Sequence, residues 1–176
     1  PVVTAFTVRL SNHGDGNISA VYNNGTAGVG ATLTTAVSSL NMNGIAVVNT
    51  NRVLIVDQTD PVQNGIYVVS GVGSTIVFTR ATDYDSPSEI NGDVDSTFIN
   101  QYITVTAGSN AVYIWWNYNV ISAVGTTAIE YFNSENLNGM IPRDGYSSGA
   151  NYHTSGQIYV ADSNAVMQPF SPAKNC

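Results

Sequence analysis

The chain has 176 residues, enough for one or two small domains that bury a core without disulfide staples. Its 5 basic and 12 acidic residues give a net charge of −7, and Arg9, Arg52, Arg80, Arg143 and Lys174 cannot be assembled into a cationic stripe for nucleic acid. No apolar run approaches ~20 residues, so no membrane-spanning helix is expected, and plentiful Val, Ile, Tyr and Phe exclude disorder.

Taken in chain order, the elements are short apolar runs punctuated by Gly, Asn and Asp. Branched and aromatic side chains pack well on a pleated surface, so these runs read as strands. The first is Thr4–Leu10. Ala31–Asn41 is the one stretch with helical spacing, with Leu33, Val37 and Leu40 recurring at four and three. It is short and rich in Thr and Ser, and reads as one or two turns or a loop. Arg52–Asp57 follows, apolar on both faces and therefore expected to be covered on both sides. Pro61 lacks a ladder donor and stops the strand, and Asn64-Gly65 tolerates positive φ where the next run begins. Gly65–Ser70 and Thr75–Thr79 then complete an expected three-strand meander. Thr97–Thr106, Ala111–Asn117 and Thr127–Phe132 are further strands. After Phe132 turn formers dominate and only Gln157–Ala161 reads as a strand. The expected fold is all-β: an antiparallel sandwich or barrel-like module with hairpins over residues 1–132, then a loop-rich C-terminal extension or arm over residues 133–176.

Catalytic signals are weak. His13 and His153 both sit in turn-rich stretches, and no nucleophile elbow, zinc-protease helix, C-x-x-C or phosphate-cradling loop occurs. The densest acid cluster, "TDYDSPSEINGDVD", holds Asp83, Asp85, Glu89, Asp93 and Asp95. It fails the twelve-residue calcium loop, because Ser88 stands where glycine is required and Val94 where glutamate is required. The expectation is a solvated loop in which Asp and Ser cap turns, or a cap for a short turn of helix at Ser86–Ile90. Hard-cation binding by the two D-x-D pairs is the alternative, and a carboxylate-pair hydrolase is possible in principle. No catalytic residue, metal site or cofactor is expected. Cys176 is the single cysteine and can make no intrachain disulfide. No secretory signal is visible, and synthesis in a cytoplasm is expected. The binding candidates are aromatic. In "AVYIWWNYN", Tyr113, Trp115 and Asn117 share one strand face, and Ile114, Trp116 and Tyr118 the other. Such rings fill cores, stack on sugars or anchor subunit contacts. Tyr146 and Tyr152 are further candidates of the same kind.

Three segments in series, "YNNGTAGVGATLT" (Tyr22–Thr34), "NRVLIVDQTDPVQNGIYVV" (Asn51–Val69) and "TRATDYDSPSEI" (Thr79–Ile90), resemble a module of bacteriophage virion proteins, notably tail-fibre and other surface structural proteins. The matching positions are Tyr22, Gly25, Gly28–Leu33, Gln58, Asn64–Tyr67, Arg80, Ala81 and Asp83. The resemblance covers roughly residues 20–132. It implies a β-rich, non-enzymatic module used in trimeric virion appendages, and it carries no catalytic residue. A fibre chain usually continues into a shaft or tip, and further repeats usually follow the module, whereas residues 133–176 look unlike it. A capsid-decorating (cement) protein on the virion therefore fits at least as well as a fibre. The expected partners are the chain itself, as a homo-trimer, and phage capsid or tail proteins. The alternative is a tail-fibre or spike module that recognises host surface glycan. No nucleic acid and no membrane insertion are expected.

Overall fold

A computed structural model describes residues 4–92, 101–117, 119–134, 159–161 and 167–169. The chain divides into two compact units, Pro1–Val94 with Ile99–Ser134, and Asp95–Phe98 with Glu135–Cys176. Among the described residues no helix is long and apolar enough to cross a membrane.

The first unit is all-β, as expected. Its strands are β1 (Thr4–Val8), β2 (Leu10–Ser11), β3 (Ala20–Asn23), β4 (Thr32–Thr35), β5 (Asn41–Met42), β6 (Ile45–Ala46), β7 (Arg52–Ile55), β8 (Gly65–Ser70), β9 (Val77–Arg80), β10 (Gln101–Val105), β11 (Ile114–Asn117) and β12 (Tyr131–Asn133). One sheet has four strands in the order β1-β10-β11-β12, another has six in the order β2-β7-β8-β9-β4-β3, and β5–β6 is a small hairpin. The single α-helix described is α1 (Pro87–Asn91). In the second unit β13 (Tyr159–Ala161) pairs antiparallel with β14 (Met167–Pro169).

The meander β7-β8-β9 stands where the sequence placed it, with Val53 opposite Tyr67, Leu54 opposite Ile66 and Val69 opposite Phe78. Its bend is a 3-10 turn at Pro61–Gln63, with Pro61 at a first-turn position where its missing N–H costs nothing, and the Asp60 carboxylate accepts from the Val62 N–H at 3.3 Å. Within the stretch with helical spacing, residues 36–40 form a loop, as one reading allowed, but Thr32–Thr35 is a strand. Leu33 lies between Tyr22 on β3 and Phe78 on β9, and three threonines favour the extended chain.

Two pairings are parallel, β1–β10 and β2–β7, and the sheets are mixed rather than wholly antiparallel. Arg9 is the reason both are possible. Its N–H donates to Arg52 O in the six-stranded sheet (2.7 Å), and its carbonyl accepts from Ala107 N near the four-stranded one (2.9 Å). One extended segment thus passes from an edge of one sheet to an edge of the other, as strands do at sandwich corners. Neither sheet closes into a barrel, since each ends in strands with a single neighbour.

Two hydrophobic cores flank the central strands. Phe6, Val8, Ile103, Val105 and Trp115 of the four-stranded sheet pack with Leu54 and Ile66 of β7 and β8. Val53, Ile55, Tyr67 and Val69 point the other way and pack with Leu10, Leu33, Met42, Val47 and Phe78. Strand β7 is therefore covered on both faces, as its unbroken apolar run requires. Each fully buried large aliphatic contributes roughly 1.5–3 kcal/mol.

Candidate functional site

Strand β11 carries the aromatic candidates, and its alternation sorts them. Trp115 points inward, is buried, and meets the His13 ring edge-on at 4.9 Å between centroids. Tyr113 is half-buried against the same core. Trp116, one residue on, points outward and is half-buried. It stacks on Phe132, its cross-strand partner on β12, with centroids 5.1 Å apart and planes 16° from parallel. Ile114 stands on the same outer face and is exposed. Trp116 and Phe132 thus form a stacked aromatic pair on the outer face, while Trp115 belongs to the core. Phe132 was not among the sequence candidates, because strand register decides which residue lies opposite Trp116. Tyr118, Tyr146 and Tyr152 lie outside the described residues, as does His153.

Gln58, Asn64, Gly65 and Tyr67 converge on one buried knot around Arg80. Its side chain is 1% exposed and donates to Asn64 O (2.9 Å) and to the Tyr67 hydroxyl (2.8 Å), with the guanidinium 4.9 Å from the Tyr67 ring centroid. The Tyr67 hydroxyl in turn donates to Gln63 O at 2.5 Å. Asn64 closes the circle: its Oδ1 accepts from Gln58 N (3.1 Å) and its Nδ2 donates to Ile129 O (3.0 Å). Gly65 has φ 147°, and a Cβ there would come within 2.2 Å of Arg80 Nη1. Gly28, at φ 104°, is pinned likewise, because a Cβ would meet Val124 at 2.5 Å and Asp85 O at 2.7 Å. These residues hold strands and loops together.

The acid cluster is taken up by structure where it is described. Asp83 pairs with Arg52 at 2.8 Å. Glu89 Oε2 accepts from the Ser86 N–H (3.0 Å), the Ser86 hydroxyl (2.7 Å) and the Asp85 N–H (3.1 Å), which is the reach-back of a capping box at the start of α1. Asp85 is buried, and desolvation raises its carboxyl above the usual carboxylate range, with the neighbouring Glu89 carboxylate adding to the rise. Among the described residues no group of three or more His, Cys, Asp or Glu side chains is placed to hold a metal ion. Asp93 and Asp95 lie outside them.

The structure adds an association the sequence did not mark. His13 Nδ1 lies 3.6 Å from Asp57 Oδ1, and Asp57 Oδ2 accepts from the Gly14 N–H at 2.7 Å. The His13 carbonyl accepts from Asn43 Nδ2 (3.1 Å) and Asn110 Nδ2 (3.0 Å). The nearby Ser11 hydroxyl accepts from the backbone N–H of His13 (3.2 Å), so the imidazole–carboxylate pair sits in a network that ties the segments of Asn43, Asp57 and Asn110 to that of His13, whose ring meets Trp115. Across the core, Tyr131 donates to the Tyr84 hydroxyl at 3.1 Å. Burial pushes the Tyr84 phenol up to about 12 and holds that of Tyr131 well above its ordinary value. No family model matches the chain, and no curated protein or solved structure matches it.

Proposed function

We propose that this is a non-enzymatic structural protein of the phage virion surface, a capsid-decorating (cement) protein acting as a homo-trimer. One observation carries the reading. Six of the positions matched to the virion module, Gln58, Asn64, Gly65, Tyr67, Arg80 and Ala81, gather in one buried, hydrogen-bonded folding knot. A motif whose work is to set a sheet suits a scaffold better than an enzyme. Low charge supports the same reading, since surfaces with few ionised groups associate at little desolvation cost. Gradient-purified particles of the encoding phage should contain the protein, with three-fold density on the capsid by electron microscopy. Its absence from purified particles would overturn the proposal.

A second reading has its own observation, the stacked Trp116–Phe132 pair on the outer face of the four-stranded sheet. Flat aromatic faces stack on sugar rings. In this reading the chain is a tail-fibre or spike module that binds host surface glycan. Hits on a glycan array that vanish in Trp116→Ala would favour it over the capsid role, and an array without hits removes it.

A further inference from the structure

We infer that strand β3 is a self-pairing edge, where two copies of the chain join their six-stranded sheets across a two-fold axis at Val21. The contact is two-fold, so it stands apart from the three-fold assembly proposed above and does not depend on the virion reading.

Register fixes what the edge offers. Arg80 N bonds to Ala31 O (2.8 Å) and Thr35 N to Ile76 O (3.0 Å), so residues 31, 33 and 35 turn their backbone groups toward β9. Thr32 and Thr34 therefore turn theirs toward β3, where Asn23 and Val21 stand opposite them. Ala20 and Tyr22 are left with N–H and C=O pointing away from the sheet, and among the described residues no strand lies on that side. An antiparallel twin satisfies all four groups. Ala20 exchanges two hydrogen bonds with Tyr22 of the second copy, and Tyr22 does the same with Ala20 of the second copy. Val21 then faces its own counterpart in a non-hydrogen-bonded pair, with Cα atoms about 4.5 Å apart.

Charge and exposure make a second copy the occupant. Each chain carries a net charge of −7, so two copies repel wherever acids meet. None of the 12 acidic residues, and no basic one, lies between Asp15 and Arg52, and β3, β4, β5 and β6 all fall in that span. Next to β4, Val77–Thr79 is also uncharged, and the Arg80 side chain is buried. The β3–β4–β9 half of the sheet is thus where identical chains meet without opposing charges. Val21 is 75% exposed, the most of the large apolar side chains described. Pairing it with itself buries it, and the strand has no lysine, proline or bulge of the kind that blunts an edge.

The test uses the full chain in a Cys176→Ser background. Val21→Cys places thiols within disulfide reach across the axis, so mild oxidation should convert it to a covalent dimer. Val112→Cys, 74% exposed elsewhere, serves as the control and should stay single. In light scattering at micromolar concentration, Val21→Lys should halve the mass of the assembly while leaving the thermal melt unchanged. A dimer of the 18.6 kDa chain that dissociates on Val21→Lys supports the inference, as does a hexamer that falls to a trimer. A trimer insensitive to Val21→Lys overturns the β3 contact and leaves the three-fold proposal standing. A monomer, or Val21→Cys chains that resist cross-linking, overturns it as well.

Discussion

Arg80 is a buried cation bonded to neutral groups: two carbonyls, of Asn64 and Val62, and a phenol. A charge taken out of water must be compensated by hydrogen bonds and dipoles, and here the planar guanidinium spreads its donors over all three while lying against the Tyr67 ring. The Lys ammonium is a point donor and cannot span them. Arg80→Lys is therefore expected to cost about 2–4 kcal/mol, read as a lower urea midpoint at unchanged slope. Tyr67→Phe removes one acceptor for Arg80 and one donor to Gln63, and should cost about 1–3 kcal/mol. Melting of Arg80→Lys at the wild-type midpoint would show that the knot does not hold the fold. The residue types of this knot stood in the sequence, in "QNGIYVV" and "TRATD". What local pattern could not reveal is that Arg80, at the end of an apolar run, turns inward. That depends on Gly65 presenting no Cβ to it from the neighbouring strand.

At the scale of the element, β11 shows how far alternation can be read and where it stops. The two faces of "YIWWN" were legible from the period of two, but not which face is covered, because that depends on the parallel pairing of β1 with β10 across some ninety residues of chain. The structure buries Trp115 and leaves its indole N–H without a partner among the described residues, at a cost of about 1–3 kcal/mol. Trp115→Phe removes that unpaired donor together with some apolar area, so it should change stability by less than about 1.5 kcal/mol, whereas Trp115→Ala should cost about 3–5 kcal/mol. Trp116→Ala loses a half-exposed stack and should cost less than Trp115→Ala. Fluorescence separates the two rings without a melt. Trp116→Phe should leave blue-shifted emission that acrylamide quenches poorly, and Trp115→Phe should leave emission that it quenches readily. The reverse pattern would contradict the assigned faces. Strand β4 was misread for a related reason. Leu33, Val37 and Leu40 recur at helical spacing, but only Leu33 lies in the strand and in the core, set there by its two neighbouring strands.

At the scale of the whole first unit, the six-stranded sheet is the shared wall of two cores, and its strands are not equally held. Leu54 and Ile66 belong to one core while Val53, Ile55, Tyr67 and Val69 belong to the other, so β7 and β8 cannot leave the sheet without opening both. The four-stranded sheet has its core on one face only, and its outer face carries the exposed Ile114 and the half-buried Trp116. Opening it exposes less apolar surface, so it should open at lower free energy and with a smaller dependence on denaturant. Native-state hydrogen exchange in low urea reads this directly. The ladder amides of β7 and β8 should exchange only through global unfolding, with the full denaturant slope, while those of β10 and β11 should exchange earlier and with a shallower slope. The burial of β7 on both faces followed from its unbroken apolar run, so its protection is the part of this gradient that the sequence already contained. The weaker hold on β10 and β11 was not visible there, since Ile103, Val105 and Trp115 are as apolar as the residues they pack against. A single slope shared by all four strands would mean that the two cores open as one and that the common wall transmits every local opening across the sheet.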